Sequence, residues 1–117
     1  MKKLMITIAL IGSWMLGMAE VNPQFPGGEN ALKKYLAENT RYPEIAKENG
    51  VEGIVMVGFM VMPDGSLQNL KVEKFVDPDL EKEALRVVGA MPAWIPAEEG
   101  GNPIEAPGKV SIPFILE

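Results

Sequence analysis

At 117 residues the chain has room for one domain, and its 47% hydrophobic and 23% charged residues are those of a folded globular protein rather than a disordered or collagen-like one. A formal charge of −5 argues against nucleic acid or an anionic membrane as partner, since either would call for a basic surface. With no cysteine the fold cannot lean on disulfides, and packing alone must hold it.

Residues 1–19 read as a secretory signal peptide: Lys2 and Lys3 give a basic start, Leu4 to Met18 an apolar run, and Gly17, Met18 and Ala19 a small-residue cleavage pattern. Such a run spans about 22 Å as a helix, short of the roughly 30 Å hydrocarbon core, so cleavage after Ala19 and a periplasmic location are expected over an uncleaved anchor. Residues 20–28 form a short, turn-rich lead with two prolines and a glycine pair, and residues 29–117 form the domain.

From Glu29, the spacing of Ala31, Leu32, Tyr35, Leu36 and Asn39 predicts a helix. A second, short helix opens at Pro43 and closes at Gly50, with Ile45 and Ala46 expected inward. Gly53 to Met62 and LQNLKVEKFV (67–76) predict two strands about a turn at Pro63, Asp64 and Gly65. The first strand is apolar at both parities, which asks for the centre of a sheet. Asp77 and Pro78 cap a third helix, about Pro78 to Ala90, with Leu80, Ala84, Val87, Val88 and Met91 on one face. Met91 to Gly108 is expected to be a long irregular connection, and KVSIPFIL (109–116) the last strand. A right-handed crossover gives strand order two, one, three. The fold class is then α+β: a two-layer sandwich with helices on one face of a three-stranded antiparallel sheet.

Taken together, FPGGENALKKYL (Phe25 to Leu36), Tyr42–Pro43, Ala46, Gly50, Gly53, the alternating Val55, Val57, Phe59 and Val61, Asp64–Gly65, Leu80, Ala84, MPAWIP (Met91 to Pro96) and GNP (Gly101 to Pro103) resemble the TonB C-terminal domain family. The match runs from Phe25 to Leu116. The resemblance implies a periplasmic protein-binding domain linked to energy-dependent outer-membrane transport. It would capture an extended peptide, the TonB box of an outer-membrane receptor, by adding it to the edge of its last strand. Carried onto this sequence, the partner-binding residues are Lys109, Val110, Ser111 and Ile112, with Arg41 and Tyr42 beside them.

Pro113 cannot donate to a strand ladder, so it belongs on an edge or a bulge, where it either blunts the edge or confines pairing to Lys109 through Ile112. Met56, Met60 and Met62 share the face the helices leave open; they are either covered by other segments or form a self-association surface for a homodimer. Trp94, between Pro92 and Pro96, is read as a core plug rather than a ligand-stacking group. The acidic Asp77, Asp79, Glu81 and Glu83 lack the glycine and spacing of a calcium loop and are read as helix-start carboxylates. With no histidine, no cysteine and only Ser66 and Ser111 as serines beyond residue 19, no enzyme, metal site or cofactor is expected. Two readings stand beside peptide binding: a self-associating structural or regulatory module that competes with true TonB transducers, and an uncleaved membrane-anchored transducer.

Overall fold

A computed structural model describes residues 20–117, so the expected signal peptide lies outside the described residues. The elements are β1 (Glu20–Val21), α1 (Gly28–Asn39), α2 (Glu44–Glu48), β2 (Gly53–Val61), β3 (Leu67–Val72), α3 (Pro78–Gly89), β4 (Ala97–Glu99), β5 (Asn102–Ile104) and β6 (Ala106–Phe114). The main sheet is antiparallel in the order β3-β2-β6, with the doubly apolar strand in the middle as its composition asks.

Alternation divides the sheet into two faces. Val55, Val57, Phe59 and Val61 of β2 and Val110, Ile112 and Phe114 of β6 point inward and are buried; Ile54, Lys109, Ser111 and Pro113 point outward and are exposed. The helices cover the inner face. Asp77 starts α3 with a side chain that accepts from the N–H of Asp79 at 3.0 Å and of Leu80 at 3.1 Å, and Pro78 follows where its missing donor costs nothing. One stripe of α3 (Leu80, Ala84, Val87 and Val88) is fully buried against the sheet.

Four aromatic rings close one end of the core. Trp94 meets Phe59 edge-on at 5.1 Å and Phe25 at 6.0 Å, and Phe25 meets Tyr35 at 5.5 Å. Trp94 is buried, as a core plug should be. Phe25, placed by its sequence position in the lead, is itself part of the core. The lead is tied down further: Glu20 and Val21 pair with Glu99 and Glu98, and Gln24 and Ile95 exchange backbone hydrogen bonds of 3.0 and 2.8 Å.

Three expectations need correction. The connection from Met91 to Gly108 is not irregular throughout, because β4 and β5 form a hairpin whose two-residue turn, Gly100–Gly101, has φ of 62° and 85° and so the left-handed geometry that favours glycine. With β1 this hairpin makes a second, three-stranded sheet in the order β1-β4-β5. The last strand begins at Ala106 rather than Lys109 and ends at Phe114. On α2 only Ala46 turns inward, at 1% exposure, whereas Ile45 is 61% exposed.

Candidate functional site: the free edge of the last strand

Among the described residues, β6 pairs with β2 on one side only. Which of its main-chain groups remain free follows from the register. The N–H of Glu73 donates to the Met56 carbonyl at 2.9 Å, and the N–H of Met62 donates to the Ser66 carbonyl at 2.8 Å. Even-numbered β2 residues therefore direct their main-chain groups toward β3, and odd-numbered ones toward β6. Val55 lies opposite Ile112 and Val57 opposite Val110, so Val110 and Ile112 bond inward to β2. Lys109 and Ser111, of the other parity, turn their N–H and C=O to the open edge. Pro107 and Pro113 share that parity, which is why two prolines fit this strand without breaking its ladder.

A groove of about 660 Å³ runs along this edge. One wall is β6 from Lys109 to Pro113 together with Ile54; the other is α1 and its C-cap, through Glu29, Leu32, Lys33, Leu36, Ala37 and Thr40. Leu32 and Leu36, four apart on one helix face, are only partly buried, so the groove keeps apolar surface that an occupant could cover. The Thr40 hydroxyl oxygen is buried with no hydrogen-bond partner among the described residues.

The six residues expected to bind a partner divide into three sets. Lys109 and Ser111 supply the open main-chain groups. Val110 and Ile112 form the same groove wall but spend their hydrogen bonds on β2 and their side chains on the core. Arg41 and Tyr42 lie beside the groove rather than in its lining. The Arg41 N–H donates to Glu83 Oε2 at 2.7 Å, and Arg41 borders a separate hollow with Pro43, Asp79, Lys82, Glu83 and Arg86. The Tyr42 ring packs edge-on against Phe114 at 5.6 Å, and its hydroxyl donates to the Val51 carbonyl. Burial, and then the nearby charges of Glu52 and Asp77, raise the Tyr42 pKa above its ordinary value, which keeps the hydroxyl a donor. Met56, Met60 and Met62 are each partly buried, beside an Ile54 that is 56% exposed. Sequence reasoning missed the α1 wall, because Leu32 and Leu36 carry the ordinary signature of a core stripe.

Comparison with known proteins bears on this geometry. Residues 38–116 match the model of the family described as Gram-negative bacterial TonB protein C-terminal. Protein TonB from two strains of Helicobacter pylori is 31% identical over a 70-residue alignment that covers 56% of this chain and 25% of each relative. The aligned stretch thus spans about a quarter of the length of those relatives. Two solution structures of the Helicobacter pylori TonB C-terminal domain, both 26% identical, superpose with TM-scores of 0.58 and 0.56; they cover 79% and 77% of this chain and 87% and 97% of their own. The family match and the shared fold agree, and the chain belongs to the TonB C-terminal domain family.

Proposed function

We propose that this chain is a periplasmic binding domain that captures extended peptides, the TonB boxes of outer-membrane receptors, by adding them as a strand beside β6, and so serves energy-dependent transport across the outer membrane. The observation that carries the reading is the open edge at Lys109 and Ser111, whose main-chain groups face a groove with part-exposed Leu32 and Leu36 on its far wall. Strand addition needs that combination: main-chain groups for affinity and neighbouring side chains for selectivity. Arg41 and Tyr42 act from beside the groove, Tyr42 by packing on Phe114 at the end of β6.

The test is capture of receptors from a detergent extract of the source cell envelope by the immobilised protein, beside a Ser111→Pro variant. That proline removes one outward donor and no ladder bond, in a strand that already holds two prolines at the same parity. Outer-membrane receptors retained by the parent and lost by a folded variant support the reading. Equal capture by both refutes edge addition.

A second reading, self-association through Met56, Met60 and Met62, is favoured by the exposed Ile54 on the same face. A sedimentation profile that stays monomeric at high concentration would remove it.

A further inference from the structure

The groove has a chemistry more specific than that of an open strand edge. Outward donors on β6 are fenced: Pro107 and Pro113 occupy the outward-facing positions on either side of Lys109 and Ser111, and a proline has no N–H to give. A guest strand is therefore offered donors at two positions only, which fixes where along the edge it sits. The side-chain alternation of the sheet then continues into the guest. Guest residues level with Val110 and Ile112 turn inward, to the helix side, where Leu32 and Leu36 have apolar surface left to cover. Those level with Lys109 and Ser111 turn outward.

Charge distinguishes the two sides further. The chain as a whole carries −5, yet in the groove lining Glu29 and Lys33 both stand on α1, and Lys109 is the one charged residue on the strand side. Lys109 stands on the outward face, so an outward guest residue level with it lies at cross-strand distance from an ammonium group.

We infer that the groove selects a short extended peptide registered on Lys109 and Ser111 between the two prolines, with apolar residues at its inward positions and an acidic residue at the outward position level with Lys109. This rests on the strand-addition reading and adds to it the register and the composition of the guest.

The test uses the purified protein and two synthetic nine-residue probes, one alternating valine with glutamate and the other valine with lysine, with dissociation constants read by fluorescence anisotropy. The glutamate probe is expected to bind about threefold more tightly or better, the scale of one exposed ion pair. Lys109→Glu should reverse that order. Hydrogen exchange on the complex should show new protection at the amides of Lys109 and Ser111 alone, and Pro113→Val should extend it by one outward position. Ser111→Pro separates the two levels of inference: if it leaves binding intact, strand addition itself fails. If it abolishes binding while Lys109→Glu leaves the preference unchanged, strand addition stands and the charge selection is wrong. Protection that runs past Pro113 in the parent complex overturns the fence, and failure of both probes to bind at millimolar concentration overturns the proposed composition. Protection that grows with protein concentration in the absence of a probe makes a second copy the occupant and also overturns it.

Discussion

The backbone N–H of Trp94 donates to the carbonyl of Gly65 at 2.9 Å, clamping the segment ahead of β4 onto the turn between β2 and β3. Gly65 sits at φ 89°, in the left-handed region, and a Cβ there would run into the Trp94 carbonyl oxygen and lie 3.1 Å from the Ala93 Cβ. Both conditions call for glycine. Gly65→Ala is expected to cost about 1–3 kcal/mol, read from urea denaturation, because the strained backbone and the displaced clamp add. Unchanged stability would show that the turn can shift without loosening Trp94.

Phe25 precedes every helix and the main sheet, yet it is packed between Tyr35 and Trp94. Phe25→Ala should cost about 3 kcal/mol, as removal of a buried ring does, and lower the melting temperature by about 12–24 °C. A melting curve that superposes on the parent's would place the ring outside the cooperative core.

Glu83 predicts a pH dependence. Its carboxylate accepts from Arg86 Nε and Nη2, each at 2.7 Å, and from the Arg41 N–H at 2.7 Å, joining α3 to the segment after α1. The hydrogen bond from Arg86 is the main cause that holds its pKa below the ordinary 4.5. A carboxyl whose folded pKa is depressed contributes stability above its unfolded value and loses it as pH falls through the folded one. Glu83→Gln should therefore be less stable than the parent at neutral pH, with a gap that narrows on acidification below about 4.5. Denaturation midpoints at stepped pH check this; a gap independent of pH would assign the effect to shape rather than charge.

Asp77→Ala removes the cap that satisfies the amides of Asp79 and Leu80. The expected loss is about 1 kcal/mol. Asp77→Asn, which keeps an accepting oxygen, should recover most of it in the same chemical melt.

Much of this architecture was legible because single residues carry unambiguous constraints. A strand apolar at both parities asks for the centre of a sheet, and β2 is central, although Ile54 on its second face is 56% exposed. Pro113 has no donor, so its strand had to lie at an edge, and Asp77–Pro78 can open a helix but not continue one. What escaped was of two kinds. Composition misled where Gly100–Gly101, a strong hairpin signal, was embedded among prolines that suggest irregular chain. The same bias hid the start of β6, since Pro107 is tolerated in a strand only at the outward parity, which no local pattern reveals. Distance misled elsewhere: the groove joins Leu32 and Leu36 to Lys109–Ile112, segments far apart in sequence, and helical periodicity cannot say whether a stripe is fully spent on the core. A five-residue helix is likewise too short for its period to choose between Ile45 and Ala46.

The second sheet also sets how a mechanical load would enter the domain. A pull applied at Glu20 is borne first by the two pairs that β1 makes with Glu98 and Glu99, next by the Gln24–Ile95 bonds, and then by the Phe25 ring. These attachments come in series along the chain, and each must yield before the next is fully loaded. The β2–β6 ladder lies beyond all of them along the chain, so a load entering from that end loosens the second sheet before it reaches the open edge of β6.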